Sequence, residues 1–228
     1  MVKVFLGVGH GGNDSGAVGN GLKEKDLNLA IAKACRDTLE RHGVTVLMSR
    51  TKDENDALNE EINECNKFAP EIAIDIHNNA SVNHDGDGAE AYYHYKGGKG
   101  KTLAENVLRE IVNIGQNSRG AKTRKNASGK DYYGFIRETN CAAIIVEAAF
   151  IDNKTDIKII DTAAEQKKMG VAIAKGALLT LGIKFKEEAK KTDSGKTYRV
   201  QCGAYKDRNN AVKLQKKLKA AGFDAIIV

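Results

Sequence analysis

Four side chains in this sequence are of the types, and in the settings, that could work together on a polar substrate: His10, Glu24, His77 and Glu147. His10 stands in Gly9-His10-Gly11-Gly12, directly after the apolar run 2–8. His77 stands in Asp75-Ile76-His77-Asn78-Asn79, and Glu147 follows the run Ala143-Ile144-Ile145-Val146. A catalytic zinc ion often takes two imidazoles and one carboxylate and keeps a fourth position for water. A carboxylate set against a strongly apolar strand loses hydration, which raises its pKa toward the range that suits proton transfer at neutral pH. Glu24 lies in the glycine-rich connection 19–26, ahead of a helical pattern, from where a side chain can turn back over a sheet edge. Each residue also has a plain structural reading. A strand-end histidine can be a hydrogen-bonded surface group, Glu24 an acid favoured by the helix dipole, and Glu147 a capping residue. His42, His84 and His94 read as structural or exposed.

These residues need a scaffold that brings distant strand ends together. Strand-like runs at 2–8, 44–48, 72–76, 89–95 and 142–146 alternate with helical patterns at 26–42, 55–67, 102–114 and 163–181. Asp26 reads as the cap of the first helix and Gly43 as its stop. The alternation predicts an α/β fold, a mostly parallel twisted sheet with helices on both faces. In such sheets the carboxyl ends of the strands gather along one edge, where sites are built.

The 228 residues suffice for one full domain and a small module. The boundaries read as 1–183 for the main domain, a charged linker at 184–196, and a small α+β module at 197–228 with the pattern strand 198–205, helix 209–221, strand 223–228. The net charge of +6 belongs to the tail: residues 184–228 carry 12 Lys/Arg against 5 Asp/Glu, a balance of +7 against −1 for the rest. Such a tail suits an anionic surface or a solvated helix face. An aromatic-rich basic face and a known nucleic-acid motif are lacking, so nucleic acid is not expected as a partner. The tail, ending on an apolar strand, is expected either to be poorly ordered alone or to pair through an exposed strand edge, with self-association in the second case. Cys35, Cys65, Cys141 and Cys202 form no C-x-x-C pair and read as reduced, mostly buried thiols. No apolar run approaches the roughly 18–20 residues of a membrane span. The N-terminal run is short for a signal peptide and lacks a cleavage site, so the expectation is a chain made in the cytoplasm that reaches its target by another route.

Taken in order, the strand-GHGG start, the segment GLKEKDLNLAIA, DIHNNA and VEAAFIDN resemble the zinc-dependent N-acetylmuramoyl-L-alanine amidases of the amidase_3 type, found in bacterial cell-wall hydrolases and phage endolysins. The resemblance covers about residues 2–181. It implies Zn2+ held by His10, Glu24 and His77, Glu147 as the catalytic carboxylate, and Asn79 shaping the substrate cleft. Two positions depart from the family pattern. Ala149 stands where Gly is usual, and its methyl is expected to narrow the cleft floor. Asp75 stands where Ser is common and could orient His77, if it shares a face with it. In the tail Tyr198, Val200, Gln201, Gly203 and Tyr205 match the start of a SPOR module, a peptidoglycan-binding unit, of which the chain holds the first half.

The resemblance therefore implies a peptidoglycan hydrolase, a phage endolysin or bacterial autolysin, that cuts between N-acetylmuramic acid and the L-alanine of the stem peptide and acts on the wall after release. The rival is a non-catalytic peptidoglycan-binding protein on the same fold, which has no need of all four residues.

Overall fold

The computed structural model describes residues 1–188, 201–223 and 225–227. The chain divides into two units, Met1–Lys186 and Glu187–Val228.

The first unit runs β1 (Lys3–Val8), a small hairpin of β2 (Val18–Gly19) and β3 (Leu22–Lys23), α1 (Glu24–Arg41), β4 (Thr45–Met48), α2 (Leu58–Phe68), β5 (Ile72–Asn79), β6 (Ala89–Tyr93), α3 (Lys99–Asn113), β7 (Ser118–Lys122), α4 (Gly134–Glu138), β8 (Ala142–Phe150) and α5 (Ala163–Thr180). Six strands form one sheet in the order β4-β1-β5-β8-β6-β7. All neighbouring pairs are parallel except β6 with β8. The expected α/β architecture is present.

Alternation along the strands decides what each face buries. Val4, Leu6, Val8, Ile72, Ile74, Ile76, Ile144 and Val146 pack with Ile31 and Leu39 of α1, Leu103 and Val107 of α3, and Ile173 and Ala177 of α5. The helix α5 lies tight against both neighbours. A methyl on Gly170 would collide with the Ile31 carbonyl of α1, and one on Gly176 with the Val107 backbone of α3. The opposite face is smaller: Phe5, Ala73, Ala143 and Ile145 meet Ile62 and Cys65 of α2 and Phe135 and Ile136 of α4.

Several expectations need correction. β5 and β8 continue three and four residues beyond the ends expected at 76 and 146, so His77 and Glu147 lie inside strands rather than after them. The cap of α1 is Lys23, not Asp26, and Glu24 is the first helical residue rather than part of a loop. β7, with Ser, Arg and Lys at the sheet edge, has no apolar alternation to announce it. α4 has five residues, too few to show a helical period. Ala149 is fully buried in the main core, so its methyl packs there and not on a cleft floor. Cys35 and Cys65 are buried, Cys141 is half-buried and Cys202 exposed, all as free thiols.

In the second unit the described residues form α6 (Arg208–Ala220), which buries none of its side chains. Asp207 caps it by accepting from the Asn209 amide at 2.8 Å. Residues 201–205 and 225–227 carry no strand, in contrast to the flanking strands expected, while 198–200, 224 and 228 lie outside the described residues. Tyr205, Phe223 and Ile226 are exposed. Pieces this short usually need a partner to fold.

Candidate active site

Three segments bring the ligand-type side chains together. His10 follows β1 with φ at 62°, a left-handed conformation uncommon for a residue with a side chain. His77 sits near the end of β5, where the register to β8 shifts between His77 and Asn79. Glu24 reaches over from the first turn of α1. Its carboxylate lies between the two rings, Oε2 3.1 Å from His10 Nε2 and Oε1 3.1 Å from His77 Nδ1. The rings stand edge to face, centroids 5.1 Å apart. Gly9 makes this approach possible, because a methyl there would collide with the His77 ring.

The carboxylate of Glu24 is held from the other side by backbone. Ala17 N–H donates to Oε2 at 2.9 Å and Asn78 N–H donates to Oε1 at 3.1 Å. Asn28, one turn further along α1, donates to Glu24 Oε1 at 3.3 Å and to the Gly9 carbonyl at 2.9 Å, and accepts from Asn78 Nδ2 at 2.8 Å. The buried Arg50 donates to the carbonyls of Val8, Gly9 and Lys25, tying the end of β1 to the start of α1. Asn28, Asn78 and Arg50 were not singled out from the sequence. The i, i+4 spacing of Glu24 and Asn28 on α1 was the one available signal.

Register sets the rest. His77 pairs with Glu147 across β5 and β8, and Glu147 pairs with Glu90 across β8 and β6. Three titratable side chains therefore form a row across three adjacent strands, on the face covered elsewhere by α2 and α4. Glu90 was not anticipated. It accepts from Arg119 Nε at 2.9 Å, Lys122 Nζ at 2.5 Å and the Tyr92 hydroxyl at 2.9 Å. Asn79 donates to Glu90 Oε1 at 3.2 Å and accepts from the Ala80 amide at 2.8 Å, so its side chain steadies this row. Of the remaining histidines, His42 stacks on Phe185, His84 pairs with Asp152 and His94 with Asp131, all away from the row.

The electrostatics separate the two glutamates. Burial pushes the Glu24 pKa up, but the hydrogen bonds with His10 and His77 outweigh it and hold the group well below the usual carboxylate range. Burial raises Glu147 to about 7, with the nearby Glu24, Asp75 and Glu90 charges adding to the rise and His77 opposing it. Hydrogen bonding to Glu24 raises His10, against the effect of its burial. Burial lowers His77, but the charge and hydrogen bond of Asp75 and the hydrogen bond of Glu24 win and raise it well above the ordinary value.

The donor atoms of His10, Glu24 and His77 lie within 4.8 Å of one another. Two imidazoles and an ionised carboxylate at that spacing fit a zinc ion, and the half-buried histidines leave one side accessible.

A family profile described as N-acetylmuramoyl-L-alanine amidase matches residues 4–178. The chain belongs to this amidase family. A second profile, the SPOR domain, matches residues 174–228. The chain is 34% identical to the sporulation-specific N-acetylmuramoyl-L-alanine amidase of Bacillus subtilis, over all of this chain and 85% of that protein. It is 30% identical to the endolysin of Bacillus phage SPP1, over 86% of this chain and 74% of that protein. Among solved structures, Cwp6 from Clostridium difficile superposes with a TM-score of 0.77 at 40% identity, covering 79% of this chain and 29% of that one. The catalytic domain of the amidase CwlV from Bacillus (Paenibacillus) polymyxa gives 0.73 at 26% identity, covering 81% of this chain and all of that one. No helix among the described residues of this amidase-family chain is long and apolar enough to cross a membrane.

Proposed function

We propose that this chain is a zinc-dependent peptidoglycan hydrolase that cuts the amide between N-acetylmuramic acid and the L-alanine of the stem peptide. The observation that carries the reading is the Glu24 carboxylate held between His10 and His77, with Glu147 next to His77 in register. His10, Glu24 and His77 would hold the metal, and a zinc ion there would polarise the scissile carbonyl and activate water at neutral pH. Glu147, raised to about 7, takes a proton from water and returns it to the departing nitrogen. The Glu90–Arg119–Lys122 cluster and Asn79 border this row, and Asn79 shapes the cleft in which the stem peptide lies.

The reading places the protein at the cell wall, as an autolysin or endolysin. Similarity over the whole chain to a sporulation-specific amidase, tail included, supports the autolysin. The SPOR match supports a tail that retains the enzyme on peptidoglycan. The direct test is to incubate the full chain with purified peptidoglycan, measure new alanine amino termini, and assay bound zinc. Release that stops on chelation and returns with zinc is expected. Wall binding with no new amino termini would favour the non-catalytic alternative.

A further inference from the structure

Behind His77 lie two carboxyls that the proposed reaction does not use. Asp75 precedes His77 by two residues and therefore shares its face of β5. Its Oδ2 lies 3.2 Å from His77 Nε2. Glu61, from the middle of α2, reaches the same place. Both are buried, Asp75 at 3% and Glu61 at 6% exposure. Asp75 Oδ1 and Glu61 Oε1 have no hydrogen-bond partner, and both pack on the α-carbon of Gly7 so closely that a methyl there would collide with each.

Two ionised carboxylates offer acceptors only, so facing oxygens in a dry site repel and leave both unsatisfied. One proton between them removes both penalties. We infer that Glu61 and Asp75 form a positioning pair for His77: the Glu61 carboxylic acid donates to Asp75 Oδ1, and Asp75 Oδ2 accepts from His77 Nε2–H. This fixes the ring with Nδ1 on the side of Glu24, so that Nδ1 is the nitrogen that would take the metal. Burial, with the Asp75 and Asp56 charges, raises Glu61 well above the usual range, in keeping with its role as the donor. His10 has a counterpart in Asp14, 2.8 Å from its Nδ1, but the Asp14 side chain is 69% exposed. The two histidines thus present opposite ring nitrogens to Glu24, Nε2 from His10 and Nδ1 from His77.

The inference rests on the zinc reading, and the test separates the two. Zinc affinity is measured by chelator competition on the full chain for wild type, His77→Ala, Asp75→Ala, Glu61→Ala and Glu61→Gln. Asp75→Ala is expected to weaken zinc binding by about 10–100-fold, the usual effect of removing a ligand's outer partner. Glu61→Ala should weaken it in the same direction but less. Glu61→Gln keeps an N–H donor without needing a proton and should stay near wild type. Wild-type affinity in Glu61→Ala, or Glu61→Gln as weak as an affected Glu61→Ala, overturns the positioning pair while the zinc site stands. A wild type that holds no zinc overturns both readings. Where a variant fails to fold, nitrogen-15 spectra of the zinc-loaded wild type decide: Nδ1 of His77 must be the metal-bound nitrogen and Nε2 the N–H, and the reverse assignment overturns the pair.

Discussion

The two faces of the central sheet are built from the same strands and do different work. One face is sealed by α1, α3 and α5 over Val, Leu and Ile side chains with essentially no exposure. The other is sealed by α2 and α4 only around Phe5, Ala73, Ala143 and Ile145, and from there toward the strand ends it carries Asp75, His77, Glu147 and Glu90. Because neighbouring residues of a strand point to opposite faces, a run such as Ile74-Asp75-Ile76-His77 serves both at once. The sealed face supplies stability through area removed from water. The open face can then hold desolvated charges, which cost stability but set the pKa values that chemistry uses.

The sharpest way to break this division is Glu147→Gln. It should lower amide release by roughly 10²–10⁴-fold, the range for a lost proton carrier, with zinc content unchanged and the melting temperature no lower. Near-normal release of amino termini would show that the open face does not carry the chemistry as assigned. On the sealed face Ile173→Ala should cost about 2–5 kcal/mol in denaturant unfolding, with the per-molecule rate of the folded fraction unchanged. A loss of rate that outruns the loss of folded protein would mean that the faces are coupled. Gly170→Ala tests the α1–α5 contact in the opposite sense, by overfilling it, and about 1–3 kcal/mol of destabilisation is expected. A neutral result would show that the helices can move apart freely.

The smallest effect concerns Glu90. Burial raises its pKa, but hydrogen bonds from Lys122, Arg119 and Tyr92 prevail and depress it below the ordinary value. A depressed folded-state pKa gives stability that is present above the unfolded pKa of about 4.3 and is lost as pH falls through the folded pKa. Wild type should therefore lose unfolding free energy more steeply than Glu90→Gln on the acid side of about pH 4.3. Parallel curves for the two proteins would remove Glu90 from the account.

Much of this was legible in sequence because it is local. The apolar runs marked the main strands, and the glycine cluster after the first run marked the approach of His10 to its partners. Glu24 is instructive: its spacing ahead of the first helix was visible, yet it is the first helical residue, since Lys23 takes the cap and the hairpin of β2 and β3 brings the chain in extended. Glu61 looked like one more polar residue of α2. Its spacing with Ile62, Cys65 and Phe68 puts it on the inward face of α2, unlike Glu60 and Glu64, but only the docking of that face on the sheet beside Gly7 and Asp75 shows what its carboxyl meets. In the tail an apolar pattern at 223–228 predicts a strand; residues 225–227 carry none, while 224, 228 and the expected neighbour at 198–200 lie outside the described residues.

The sequence by itself determined the fold class and the main strands and helices, because periodicity is a property of short segments, and its resemblance to the amidases marked His10, Glu24, His77 and Glu147 as the candidates for a metal and a proton carrier. Only the tertiary structure decided that Glu147 and Glu90 extend a row from His77, and that Glu61 and Asp75 stand behind it. Those facts depend on register between strands distant in the chain and on which helix covers which face, and both are settled by packing across the whole domain.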